Sequence, residues 1–205
     1  MAYEPVTDLA VLNAAYGEPG AAAMLKVATR ITPAYRRLIE ASPFLALASA
    51  GPEGLDCSPR GEFGGLLRIL DSKTLAIPDR RGNNRVDTLA NIVRDPRVAL
   101  LFLIPGSHTT VRLNGRAIVT FDAGLRATFE KDGKLPRSVV VISVAEIYTQ
   151  CGRAVIRADL WNPAQHVAKE MVPTPGGILA EQSSGEFDGE TYDAQWPGRA
   201  AETMW

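Results

Sequence analysis

The chain concentrates its charged hydrogen-bond donors in one stretch, IPDRRGNNRVDTLANIVRDPRVALLFLIP at 77–105. Arg80, Arg81, Gly82, Asn83, Asn84 and Arg85 are followed by Val86, Leu89 and Ile92 at helical spacing, which predicts a helix beginning near Arg85. Asn84 is the expected N-cap, Asp87 supports the first turn through the macrodipole, and Pro96 stops the helix. Guanidinium forks engage phosphate oxygens in pairs, and a helix start offers unpaired N–H groups, so loop and helix together suit an anion. A solvated turn whose charges serve solubility is the competing reading.

Other arginines stand at strand and loop ends: Arg60 in SPRG, Arg112 beside Asn114 in VRLNG, and Arg153 with Arg157. Surface ion pairing would account for them singly, whereas their placement near the turns of a β-domain points to one shared site. His108 and His166 are the only histidines and read as surface or satisfied residues. The chain has no nucleophile elbow, no paired histidines for a metal, and no Walker or dinucleotide fingerprint, so no catalytic residue and no metal ligand is assigned. Cys57 alternates with strand residues and reads as core. Cys151, beside Gly152, reads as packing, with a reactive thiol as its alternative.

The elements that would position these groups follow from periodicity and punctuation. Helices are expected over 7–16, 21–31 and from Pro33 to Ser42. After Pro43 come short apolar runs divided by turns at 44–50, 55–58, 63–70, 74–77, 97–104, 109–121 and 138–147, the pattern of an antiparallel sheet or barrel. Gly115 is a bulge candidate, 124–130 is expected to be helical, and a final helix is expected from about Pro163. Beyond Pro173 the chain is polar and rich in small residues, the composition of a loose tail or of an arm ordered by a partner surface. No internal repeat is present.

A chain of 205 residues can bury on the order of 70% of its unfolded surface as one domain with extensions. The formal net charge of −1 gives no bulk attraction to nucleic acid or anionic lipid, no run reaches the ~18 apolar residues of a membrane span, and the amino end is not a secretory signal. With two widely spaced cysteines and no targeting segment, a cytoplasmic location is expected.

Five ordered blocks, FLALASAGPEGLDCSPRG at 44–61, IPDRRGNNR at 77–85, DPRVALLFLIPG at 95–106, VRLNGRA at 111–117 and CGRAVIRADLW at 151–161, resemble the FMN-binding members of the pyridoxamine 5′-phosphate oxidase-like superfamily. The resemblance covers roughly residues 40–165 and fits an uncharacterised bacterial subgroup. It implies a mainly β fold with flanking helices: a six-stranded antiparallel split β-barrel over 43–172, a helical amino-terminal extension over 1–42 packed on it, and a polar carboxy-terminal arm or tail over 173–205. It further implies a homodimer with FMN at the subunit interface. Arg60, Asn83, Asn84 and Arg85 would face the flavin phosphate and ribityl chain, with Arg80 shaping their loop. Thr110 stands where the oxidases carry a flavin-contacting glutamine. Arg157 and Trp161 match the segment that reaches the flavin from the second subunit, although a core tryptophan and a surface arginine are the plainer readings of those two.

The oxidases close their site with a carboxy-terminal Arg-x-His element, and neither histidine here has an arginine two residues before it. The flavin site is therefore expected to be retained and the vitamin site not. The leading expectation is an FMN-dependent oxidoreductase of a small molecule, with NAD(P)H or O₂ as redox partner. The alternative is a non-catalytic flavin, haem or deazaflavin binder, or a redox sensor, on the same barrel.

Overall fold

The computed structural model describes residues 3–205, so the first two residues of the amino-terminal extension lie outside the described residues. The chain runs α1 (Leu9–Tyr16), α2 (Ala21–Leu25), α3 (Pro33–Glu40), β1 (Phe44–Gly51), β2 (Gly54–Gly61), β3 (Arg68–Ile69), β4 (Thr74–Asp79), α4 (Asp87–Arg94), β5 (Arg97–Leu103), β6 (Thr110–Thr120), α5 (Ala123–Ala127), β7 (Ser138–Gln150) and α6 (Arg153–Arg157). Two 3₁₀ turns follow, then α7 (Pro175–Gln182), α8 (Gly189–Ala194) and α9 (Trp196–Thr203).

The strands form one antiparallel sheet in the order β2-β1-β5-β6-β7-β4-β3. The sheet has seven strands rather than the six expected, and β2 and β3 end it without pairing with each other, so it does not close into a barrel. The extra strand is a remnant of the expected run at 63–70. Only Arg68 and Ile69 pair with β4, because the chain before them passes through Gly64 at φ +72 and carries no ladder partner. Strand formation elsewhere follows the apolar runs. In β5, Val98, Leu100 and Phe102 turn inward at period two, and in β7 Val140, Ile142, Val144 and Ile147 do the same. The β7 alternation slips once, because Asn114 pairs with Glu146 and Gly115 with Val144, which leaves Ala145 as an extra residue: the bulge lies on β7, opposite the expected position at Gly115. A Cβ on Gly115 would stand 2.4 Å from the Ser143 carbonyl oxygen, so only glycine lets the strands meet there.

The inward face of the sheet packs with α3 and α4 into the main core, built on Leu45, Leu47, Leu75, Ile77, Ile92, Leu100, Phe102, Leu113 and Ile142. Each such side chain contributes about 1.5–3 kcal/mol on burial. A smaller cluster of Ala76, Phe129 and Val139 lies on the other face of β4 and β7, against Leu125 of α5. β4 is thus buried on both faces, and the loop that leaves its end is held on a fixed base.

Several local expectations are corrected. The helix expected over 21–31 stops at Leu25, and the chain pairs with β7 instead: Ala28 N–H donates to Ile147 O at 2.9 Å and Ile147 N–H to Ala28 O at 2.7 Å. α3 starts with Thr32 Oγ1 accepting from Tyr35 N–H and buries Ile39, whereas α1 and α2 bury no side chain. The helix expected from Pro163 is a single 3₁₀ turn, Pro163–Gln165. The polar segment after Pro173 is largely helical, which its composition did not announce. Among the described residues no helix is long and apolar enough to cross a membrane.

Candidate functional site

The loop between β4 and α4 forms one wall of a groove of about 1140 Å³. The edge strand β2, the start of β7 and the carboxy-terminal helix α9 form the others. Arg60, Arg80, Asn83, Asn84 and Arg85 all line it, as do Arg81 and Arg137. The floor is apolar, from Leu66, Ile77 and Leu89.

The helix after the loop begins two residues later than the sequence suggested. Asn84 is not its N-cap: it sits at φ +62, and its Oδ1 accepts from Arg137 Nη1 at 2.7 Å. Asn tolerates this left-handed conformation, and the resulting turn leaves Asn83 Oδ1 to accept from Arg85 N–H at 3.0 Å. α4 itself is entered at Val86, with no side chain capping its first turn, and Asp87 stands in that turn. Its leading amides therefore remain open to a ligand.

The arginines divide by what already holds them. Arg80 is committed to the protein: its Nε donates to Glu62 Oε2 at 3.0 Å and its Nη1 to Phe129 O at 2.7 Å, while Lys131 Nζ meets Glu62 Oε1 at 2.8 Å. Burial alone would raise the Glu62 pKa, but the hydrogen bonds from Lys131 and Arg80 outweigh it and hold the carboxyl below its ordinary range. Arg85 is exposed and meets only Asp87, with Nε to Oδ2 at 2.5 Å. Arg60 reaches Pro59 O at 2.9 Å and Thr88 Oγ1 at 3.4 Å. Thr88 in turn donates to Asp56, which also accepts from Ser58 Oγ at 2.8 Å, so the first turn of α4 is laced to the β2 edge.

Two groups at the β4–β7 end are left without such partners. Asp79 and Ser138 are cross-strand neighbours in the groove wall. Asp79 is half-buried, and desolvation raises its pKa despite the nearby Arg60 and Arg137 charges. Ser138 is buried, and its Oγ has no hydrogen-bond partner. Neither residue was singled out from the sequence. Asp79 stood inside the IPDRRGNNR block and could have been, since a carboxylate amid arginines at a strand end is a visible signal.

The remaining expected residues lie elsewhere. Thr110 is buried at the start of β6, paired with Gln150, and does not line the groove. Arg157 is exposed in the last turn of α6, and Trp161 Nε1 donates to Ser107 O at 2.7 Å, pinning the segment after α6 to the β5–β6 turn. Trp161 thus has a structural job within its own chain. β7 carries thirteen residues between Ser138 in the groove and Gln150 beside this second cluster, about 40 Å of strand. Both cysteines are exposed, so Cys57 is not the core residue its alternation suggested. Among the described residues no cluster of His, Cys, Asp and Glu could hold a metal.

The groove's donors, uncapped helix start and apolar floor fit a phosphate ester with a large apolar body, and the volume exceeds the ~300–1,000 Å³ of ordinary small-molecule sites. Comparison with known proteins gives one family: the model for pyridoxamine 5′-phosphate oxidase matches residues 31–151, more than half of the chain. Among solved structures, HupZ of Group A Streptococcus is 19% identical with a TM-score of 0.49, over 59% of this chain and 94% of that one. General stress protein 26 of Bacillus anthracis is 14% identical with a TM-score of 0.43, over 56% and 88%. An FMN-binding protein of Syntrophomonas wolfei is 12% identical with a TM-score of 0.44, over 69% and 95%. No curated protein matches the chain.

Proposed function

The chain belongs to the pyridoxamine 5′-phosphate oxidase family, and on that premise we propose that it is an FMN-dependent oxidoreductase of a small molecule, working as a homodimer. The observation that carries this reading is the groove itself, where an arginine-rich loop, an uncapped helix start and an apolar floor meet. Arg85 and Arg60 would hold the phosphate, with Asn83 and Asn84 beside the ribityl chain. Arg80 acts through the loop it anchors to Glu62 and Phe129. Bound FMN would supply hydride or electron transfer, with NAD(P)H or O₂ as partner. The chain's own contribution is to orient the ring on Ile77 and Leu89, to exclude water, and to keep a proton at the Asp79 carboxyl to a higher pH than a free aspartate would.

The dimer is supported by the outer face of the sheet. Phe44, Ala46, Ala48, Ala99 and Leu101 lie together there on paired strands, small or apolar, and the chain does not bury them. Thr110, Arg157 and Trp161 are remote from their own chain's groove, so a role for them at a flavin requires a second copy.

Purified protein should carry a flavin absorption spectrum and release FMN on denaturation, identified by mass. Stopped-flow reduction by NADH or NADPH then separates an oxidoreductase from a binder. Arg85→Ala should weaken FMN binding about tenfold or more, the ~1.5 kcal/mol lower end for a charge-assisted hydrogen bond. A colourless protein that takes up no added FMN, or an Arg85→Ala variant with unchanged affinity by calorimetry, would refute the respective claim.

A further inference from the structure

Residues 175–205 lie outside the segment matched to the family and build a small helical unit of their own. α7 and α8 meet at backbone contact. A Cβ on Gly176 would stand 2.1 Å from the Gly189 carbonyl oxygen, and one on Gly189 would stand 2.2 Å from the Gly176 carbonyl oxygen. Asp193 Oδ1 locks the pair by accepting from Gly176 N–H at 2.8 Å. α9 then runs to the groove, which Trp196, Arg199, Thr203 and Met204 line. At its end the Trp205 ring lies 5.7 Å from the Arg80 guanidinium and 5.8 Å from Lys134 Nζ, cation–π contacts to the body of the protein.

The placement of charge on this arm is selective. Between 175 and 205 the chain carries six carboxylates and one guanidinium. None of the carboxylates lines the groove, and the guanidinium, Arg199, does. Arg199 is held ready: its Nη2 donates to Tyr192 O at 2.9 Å, and its guanidinium stacks 4.1 Å from the Tyr192 ring and 5.9 Å from the Trp196 ring. It makes no salt bridge among the described residues, so its remaining N–H donors are available. The groove has a volume of about 1140 Å³ with the arm in place, so the arm walls the site and does not fill it.

We propose that the carboxy-terminal arm completes the groove within the same chain, and that Arg199, with Trp196 beside it, binds an anionic group of the groove's ligand. The chemistry is a phosphate or carboxylate, carried by the flavin itself or by a second small molecule bound with it. The inference rests on the flavin reading for the identity of the first ligand, not for the existence of the anion site.

The test compares the full-length wild type with Arg199→Gln, both freed of bound flavin and checked for native helicity by circular dichroism. Each is titrated with FMN, with riboflavin, which lacks the phosphate, and with inorganic phosphate before and after FMN loading. If Arg199 receives the flavin phosphate, the variant loses about tenfold in FMN affinity, the scale of one charge-assisted contact, and riboflavin affinity is unchanged. If it receives a second anion, both flavins bind the variant normally, and phosphate binding to the FMN-loaded protein is lost. Arg199→Gln titrations that match wild type for every probe overturn the proposal. A wild type that binds no flavin sinks the flavin reading alone, and the phosphate titration of the unloaded chain, with a difference from or identity to the variant, still decides for or against Arg199.

Discussion

Removal of the Glu62 carboxylate should cost far more than its position in an irregular segment suggests. The Glu62 and Arg80 side chains are 12% and 19% exposed, and Lys131 is 44% exposed. Glu62→Ala leaves the Arg80 guanidinium mostly buried, with the Phe129 carbonyl as its remaining acceptor. A fully buried pair broken on one side costs ~3–5 kcal/mol, and an exposed pair ~0–1 kcal/mol. With both partners mainly but not wholly buried, ~2–3 kcal/mol is expected, or a Tm lower by roughly 5–10 °C at this chain length. Lys131→Ala, which removes the exposed partner, should cost under ~1 kcal/mol. Urea denaturation reads both, with the midpoint moving and the slope unchanged. The pH dependence follows in sign. Glu62 is held below its ordinary pKa of 4.5, so its stabilisation is complete above that value and is lost as pH falls through the lower folded value. The gap between Glu62→Ala and wild type should therefore close in acid. Equal losses in the two variants, or a gap that survives acidification, would show that Arg80 does not depend on Glu62. In that case the loop from Arg80 to Arg85 has some other anchor.

The neighbouring groups give predictions of opposite sign. Ser138→Ala removes a buried hydroxyl that has no partner and should raise the stability of the unliganded protein by about 1 kcal/mol in thermal denaturation; a loss would mean the Oγ is satisfied. Asp79 has its folded pKa raised by burial, so its ionisation opposes folding: stability is greatest below its ordinary value of 3.8 and falls as pH rises through the folded value. Asp79→Asn should accordingly stabilise the protein at neutral pH and give no gain in acid, and a variant destabilised at neutral pH would show that the carboxylate is held by partners. Asp87→Asn frees Arg85 from its exposed pairing and removes a carboxylate beside the proposed phosphate. FMN affinity at low salt should rise by up to about fivefold, within the ~1 kcal/mol of a surface pair, and an unchanged or weaker affinity would place the phosphate away from Arg85.

The sheet was legible wherever burial on one face imposes a rule on residue type. β5 and β7 were readable because their apolar residues fall inside, and Gly115 marked the place where the β6–β7 register shifts, although the extra residue, Ala145, is on β7 and carried no signal of its own. β3 was not, since an edge strand needs only enough backbone pairing to end the sheet, and two residues suffice. The helix expected past Leu25 failed for a related reason: local propensity favoured continuation, but the Ala28 backbone was needed by Ile147. The arm was the largest miss. Its helices meet through glycine backbones and Asp193 rather than through an aliphatic stripe, so hydrophobic periodicity had little to report. The signals it did carry were helix starts, with Thr174 before Pro175 and Asp188 before Gly189, each of which caps in the structure.

The candidate site divides along the same physical line. Arg80, Asn83, Asn84 and Arg85 are neighbours in sequence, and a tight loop between a doubly buried strand and a helix must keep them together, so a local reading suffices. Arg60 joins them because the β2 edge is tied to the first turn of α4 through Asp56, Ser58 and Thr88, a contact between residues some thirty positions apart that no spacing rule reveals. Residue type alone could not rank the arginines. Arg80 and Arg85 look equivalent as letters, yet Arg80 is bound to Glu62 and Phe129 while Arg85 has a single exposed partner that a phosphate could replace. What an arginine offers a ligand is set by the hydrogen bonds it has already made, and on that criterion Arg85 and Arg199 are free to engage an anion in a way that Arg80 is not.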